Sequence, residues 1–252
     1  MYKGQRVSVV LPTYNEKDSL RQSIEDFFAT GYVDEVIVVN NNAVAGTSEE
    51  VAKTRAREVR ETVQGVGAAV RSGLRAAQGD LVVVCEPDGT FNALDIEKLL
   101  AFARSYDTVW TSRTYTEMIE DGANMGYWMI WGNVVMAKLF QTLFSTPRLS
   151  DVGSTFRLLH RRVVDALTRT MSVTGNFYDV ELMFLTWAHG FKFLEIPVHY
   201  QERVGQSSVT GYWHKTFHLA AIMFMLIVKF RLQTLLPGGR ARFTSRASGA
   251  AA

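Results

Sequence analysis

Short unbroken apolar runs alternate along this chain with stretches in which apolar side chains recur every three or four positions. Residues 6–11 (RVSVVL), 35–39, 81–85 and 108–111 are runs of the first kind and predict strands, and residues 59–62 read as a further short strand. Between them, residues 17–29 place Leu20, Ile24, Phe27 and Phe28 on one helical face, and Gly31 ends the helix. Residues 47–56, 65–77 and 95–103 read as further helices. The first of these is expected to be capped by Thr47 or Ser48, with Glu49 and Glu50 in its first turn. Strands alternating with helices predict an α/β fold with a mainly parallel, doubly wound sheet. Ligands on such sheets bind outside the carboxyl ends of the strands. Tyr14, Asn15, Asn40, Asn41, Glu86 and Asp88 all fall there.

The second half follows another pattern. Residues 126–145 are strongly apolar, and Lys138 is their only charged side chain. Twenty such residues are long enough to cross a bilayer, but Gly132, Asn133 and Gln141 favour a helix lying on a membrane or packed on the domain. Residues 150–162 read as a polar loop running into a helix, 180–188 as a helix and 193–195 as a strand. Within 216–236 the apolar core spans residues 219–228, too short to span and long enough to dip in. Three segments result: a domain over 1–212 with an apolar helical insertion near 122–146, an apolar and basic helix over 213–236 that associates with membrane, and a disordered tail over 237–252.

Composition refines the picture. Hydrophobic residues make up 47% of the chain and charged ones 21%, enough apolar surface for a packed core. A net charge of +2 does not favour nucleic acid as a partner. The charge is uneven, however: Arg203 to Arg246 contains cations and no Asp or Glu, which suits an anionic lipid surface. The single cysteine, Cys85, excludes an intrachain disulfide and points to a reducing compartment. Trp128 and Trp131 suit a membrane-interface belt. The histidines at 189, 199, 214 and 218 have no metal-ligand spacing.

Glu86-Pro87-Asp88 follows the strand VVVC. Carboxylates at a strand end can hold a divalent cation, with a diphosphate and waters completing its shell. Gly65 and Gly67 open a helix, where glycines allow backbone to approach an anion or another segment closely. No Gly-Lys-Ser/Thr occurs, which excludes a P-loop enzyme, and no G-x-G-x-x-G follows the first strand, which tells against a dehydrogenase.

Taken in order, residues 11–16 (LPTYNE), 38–42 (VVNNN), 65–73 (GVGAAVRSG), Gly79-Asp80, 86–88 (EPD), 111–113 (TSR), 151–161 (DVGSTFRLLHR), 179–182 (DVEL), 195–198 (EIPV) and 203–208 (RVGQSS) resemble glycosyltransferase family 2, within it the dolichyl-phosphate mannose synthase and polyprenyl-phosphate transferase branch. The resemblance covers about residues 6–210. It implies a GT-A, Rossmann-like fold, a UDP- or GDP-linked sugar donor and Mg²⁺ or Mn²⁺. Pro12, Tyr14 and Glu16 would line the nucleoside pocket, with Asn40 in the place of a base-binding acid and Asn42 after it. Gly67 and Arg71 would lie near the donor. Glu86, Pro87 and Asp88 would form the metal motif, with Thr90 beside it. Arg113, Arg157 and Arg203, with Ser207 and Ser208, would collect phosphates, and Asp151 would lie near the reacting centre. Asn40 for Asp, Ala43 for Ser, Glu86 for Asp and Val66 for Lys depart from the family pattern.

The resemblance also implies an inverting, in-line displacement at the anomeric carbon. A hydroxyl acceptor needs a base such as Asp151, whereas a lipid phosphate needs cations to guide it and leaves Asp151 to orient its neighbours. The lipid phosphate is the favoured acceptor, a hydroxyl acceptor the alternative, and a non-catalytic nucleotide-sugar scaffold a third reading. The favoured reading places the enzyme peripherally on the cytoplasmic face of a membrane. A homo-oligomer is compatible with the sequence.

Overall fold

A computed structural model describes residues 1–205 and 213–244. Seven strands form one sheet in the order β3-β2-β1-β4-β6-β5-β7: β1 Val7–Thr13, β2 Glu35–Asn40, β3 Arg57–Arg60, β4 Leu81–Val84, β5 Thr108–Ser112, β6 Arg157–His160 and β7 Phe193–Pro197. All run parallel except β6, which is antiparallel to both β4 and β5. The carboxyl ends of β1, β4, β5 and β7 therefore share one edge with the amino end of β6. This is the expected mainly parallel, Rossmann-like GT-A arrangement.

Alternation along β1 divides the core. Val7, Val9 and Leu11 face α1 (Lys17–Ala29) and α4 (Ile96–Phe102). Val10 faces the opposite layer, where Val70 and Leu74 of α3 (Val66–Ala76), Val163 of α6 (Arg161–Leu167) and Leu182 of α7 (Tyr178–Ala188) pack. Helices cover both faces of the central strands, so β1, β2 and β4 can be almost wholly apolar, whereas the edge strand β3, with the sequence REVR, is charged and partly exposed.

Some sequence expectations are corrected. The segment 150–162 contains β6 and is not a loop running straight into a helix. The strand is only four residues long (RLLH), too short to be told from a helix by period, and pairing on both sides decides it. The helix read at 47–56 is shorter, α2 Thr47–Ala52, and its cap is Gly46 at φ 91° with no side-chain bond. Thr47 Oγ1 instead donates to Val44 O.

The apolar helix α5 (Tyr127–Phe144) packs on the domain through Ala137, Phe140 and Phe144, while Trp128 is 84% exposed. Beside it α8 (Trp213–Leu235) buries Ile227 and Phe230, the latter stacked on Phe184 of α7. Residues 219–228 underrate α8: its window His218–Leu235 is long and apolar enough to cross a membrane by length and composition. The tail read as disordered carries α9 (Ala241–Thr244). Arg240 lies over the Trp187 ring and Phe243 packs edge-on against Phe184.

Candidate active site

A cavity of about 390 Å³ opens at the shared strand edge, within the size range of small-ligand sites. Pro12, Tyr14 and Glu16, after β1, line one end. Glu16 Oε2 accepts from the backbone N–H of Tyr14 and Asn15 and so shapes its own loop. Asn41 also lines the cavity, and its Oδ1 accepts from Gly65 N at 2.8 Å.

Its neighbours behave differently. Asn40 and Asn42 line a separate, adjacent cavity. Asn40 Nδ2 donates to Glu58, and its Oδ1 accepts from Ala43 N. Asn42 holds Thr62 O and Gln64 at φ 54°. Asn41 therefore faces the main cavity beside Pro12, Tyr14 and Glu16, while Asn40 is turned away from it.

Glu86 and Asp88 occupy the turn after β4. Asp88 is fully buried, and its Oδ1 accepts from Thr90 N and Thr90 Oγ1 at 3.0 and 2.6 Å. Its Oδ2 has no hydrogen bond, although Arg203 Nη2 lies 2.5 Å away, poorly aligned. The same guanidinium nitrogen is 3.3 Å from Glu86 Oε2. Two carboxylates thus converge on one cation. Burial and the neighbouring Asp88 charge raise the Glu86 pKa to about 8, with Arg203 opposing. This geometry fits a divalent ion, which would satisfy the orphan oxygen and remove the repulsion. Among the described residues no third His, Cys, Asp or Glu joins them, so donor oxygens and water would complete the shell. Pro87 contributes backbone only, accepting from Ser19 Oγ at 2.6 Å.

Arg113, after β5, meets Asp151 in a two-point ion pair at 2.8 and 3.0 Å, and Asp151 also accepts from the N–H of Arg113 and Gly153. Burial opposes the charge on Asp151, but these partners outweigh it and hold its pKa below the usual range. Glu195 of β7 fixes the loop by accepting from Ser150 N and Asp151 N. Both Asp151 oxygens are therefore already engaged by Arg113 and the backbone N–H of Gly153. Arg157 is also displaced from its expected role. It is 2% exposed, absent from the cavity wall and paired with Asp179 at 2.6 Å, so its charge is already neutralised.

Gly67 and Arg71 do not line the cavity and are packed against the 171–178 segment. Arg71 donates to Met171 O, and α3 abuts residues 173–175, with Ala68 N donating to Thr174 O. A Cβ on Gly67 would sit 2.4 Å from Val173 O and 2.8 Å from Tyr178 Cβ. Gly67→Ala is expected to lower stability by about 1–3 kcal/mol, measurable by chemical denaturation. Ser207 and Ser208 lie outside the described residues.

A model of glycosyl transferase family 2 matches residues 8–168. The chain belongs to glycosyltransferase family 2. It is accordingly an enzyme of the hexosyltransferase class. Its relatives include an uncharacterised glycosyltransferase of Mycobacterium tuberculosis, 31% identical over 82% of this chain and 91% of that one. An undecaprenyl-phosphate mannosyltransferase of Micrococcus luteus is 26% identical over 82% of this chain and 88% of its own length. Among solved structures, glucosyl-3-phosphoglycerate synthase from M. tuberculosis, in complex with Mn²⁺, UDP and glucosyl-3-phosphoglycerate, superposes with TM-score 0.68 at 18% identity, covering 92% of this chain and 80% of that one. The same enzyme with Mg²⁺ and UDP gives TM-score 0.66 at 18% identity, over 92% of this chain and 79% of that one.

For this family member the cavity wall adds residues to which the sequence assigned no role: Met129, Thr155, Tyr178, Asp179 and Tyr200. Asp179 stands in the DVEL segment, yet nothing in spacing alone aims its carboxyl inward. Burial raises its pKa to about 6 against the opposing pull of Arg157 and Tyr178. Glu181, two residues on, turns the other way and accepts from Ser172 N and Val173 N.

Proposed function

We propose that this glycosyltransferase moves a hexosyl group from a UDP- or GDP-linked sugar to a polyprenyl phosphate at a membrane surface. The carrying observation is the continuity between the cavity and exposed apolar helix. Met129 of α5 lines the cavity, while Tyr127, Trp128 and Trp131 at the same end of the helix are exposed. Clustered exposed aromatics mark interfaces. Phe224, Met225 and Leu232 of α8, which packs on α5, extend the apolar surface, with Lys229 among them. No acidic residue follows Glu202 in the sequence, which suits anionic lipid. The undecaprenyl-phosphate mannosyltransferase relative supports the acceptor.

The complexes of glucosyl-3-phosphoglycerate synthase with UDP and Mn²⁺ or Mg²⁺ support a nucleotide-sugar donor and a divalent cation here. Glu86 and Asp88 would hold that cation, which when bound supplies charge neutralisation for the leaving diphosphate. Arg203 would then turn to the phosphates, where its guanidinium matches their oxygens. A lipid phosphate is already anionic, so it attacks the anomeric carbon as the bond to the diphosphate breaks, and no base is needed. A hydroxyl acceptor is the second reading. It is favoured by the Asp179 carboxyl on the cavity wall, whose raised pKa would suit proton abstraction.

The reading is tested by transfer from UDP- and GDP-sugars to undecaprenyl and dolichyl phosphate with Mg²⁺ or Mn²⁺. A lipid-linked sugar is expected; transfer only to soluble hydroxyl acceptors would sink the lipid reading. Peripheral docking on the cytoplasmic leaflet is tested separately. Trp128→Glu with Trp131→Glu is expected to weaken partitioning onto anionic vesicles by at least about tenfold in a sedimentation assay.

A further inference from the structure

Eight buried side-chain polar atoms among the described residues have no hydrogen-bond partner, and six of them belong to one neighbourhood. They are Trp110 Nε1, Thr155 Oγ1, Arg157 Nε and Nη1, Tyr178 OH and Asp179 Oδ1. Buried polar atoms are almost always paired, so such a concentration needs a cause.

The neighbourhood is assembled across the sheet. Trp110 of β5 is the register partner of Arg157 of β6, whose guanidinium lies 6.0 Å from the indole centroid. Arg157 reaches Asp179 at the start of α7 at 2.6 Å, close but not aligned as a hydrogen bond. The Tyr178 hydroxyl lies near enough to help stabilise the Asp179 carboxylate, also without good alignment. All five residues are at most 7% exposed. Thr155, Tyr178 and Asp179 nevertheless line the main cavity together with Glu86 and Arg203.

Charge selects the ligand. The Arg157–Asp179 pair is neutral overall, so a phosphate entering here would meet the Asp179 carboxylate with no net attraction. Phosphates have a better seat at Arg203 and at the cation that Glu86 and Asp88 would hold. A neutral polyol satisfies this wall from both sides, since its hydroxyls donate to the Asp179 carboxylate and accept from the Thr155 and Tyr178 hydroxyls. A lipid-phosphate acceptor also leaves Asp179 without a proton to take, so its burial on the cavity wall requires another purpose.

We propose that Thr155, Tyr178 and Asp179, with Arg157 behind them, form the subsite that reads the hydroxyl groups of the donor's hexosyl residue. This rests on the nucleotide-sugar reading of the cavity. Arg157 is a positioning residue: it fixes Asp179 without lining the cavity.

The test compares binding of UDP and GDP with that of UDP-glucose and GDP-mannose, in the presence of Mn²⁺, by titration calorimetry on the full chain. Tyr178→Phe removes one hydroxyl and Thr155→Val replaces one by a methyl of similar shape. Each is expected to weaken the bound sugar nucleotide about three- to tenfold, the worth of one hydrogen bond, while leaving the matching diphosphate unchanged. Thr155→Val carries the test if Tyr178→Phe fails to fold. Equal affinity of wild type and variants for the sugar nucleotide overturns the subsite, as does a parallel loss for sugar nucleotide and diphosphate. Wild-type protein that binds none of the four ligands overturns the donor reading, and the subsite with it.

Discussion

Asp88→Asn is expected to lower kcat/KM about a thousandfold without unfolding the protein. The side chain is fully buried, and its two oxygens do different work. Oδ1 closes the turn by accepting from Thr90 N and Thr90 Oγ1. An asparagine keeps that oxygen and that turn. What it loses is Oδ2, the atom with no hydrogen-bond partner, together with the negative charge that faces Arg203. The substitution therefore separates charge from shape. Mn²⁺ binding followed by electron paramagnetic resonance should weaken in step with turnover, while the thermal midpoint stays close to wild type. A variant with near-normal turnover would show that the pair of carboxylates does not serve the leaving diphosphate.

The effect of Glu86→Gln is expected to be smaller. Glu86 has a side chain 29% exposed and meets Arg203 at 3.3 Å rather than 2.5 Å. Its raised pKa reflects burial first and the Asp88 charge second. Either neutral form relieves part of the repulsion between the two acids, which Arg203 offsets in this structure.

Much of this arrangement is legible in the sequence because it depends on local pattern. The runs before Pro12, Asn40 and Glu86 are almost wholly apolar, which identifies strands covered on both faces, and the polar residues at their ends fall where such sheets bind ligands. Other features depend on which side of the chain a residue faces. Asn40 and Asn41 are adjacent and chemically identical, yet one lines the main cavity and the other the neighbouring one. Only strand register separates them. Arg157 looks like a phosphate ligand by residue type, and its neutralisation by Asp179 requires contact between segments 22 residues apart. The strand that carries it is too short for its period to be read. The two glycines opening α3 show the same limit. Their spacing suits an anion, but the backbone that approaches them is that of residues 173–175.

Asp151→Ala is expected to cost about 3–5 kcal/mol of stability, more than loss of a surface ion pair would, and to abolish turnover. Asp151 is fully buried at its side chain and Arg113 nearly so, at 0% and 13% exposed. Removing the acid leaves a buried guanidinium whose Nε and Nη2 lose their partner, and frees Arg113 N and Gly153 N as well. The pH dependence follows from direction alone. The folded-state pKa of Asp151 is depressed, so its contribution is fully present above the unfolded value of about 3.9 and is lost as pH falls through the lower folded value. The wild-type advantage over Asp151→Ala should therefore be flat from neutrality down to about pH 4 and shrink below it, as measured by denaturant unfolding at each pH. The double variant Arg113→Met with Asp151→Ala separates structure from catalysis. Removing both charges should recover much of the lost stability but none of the activity, because Arg113 lines the cavity and Asp151 aims it. Recovery of turnover in the double variant would mean that the pair only holds the 150–153 loop in place.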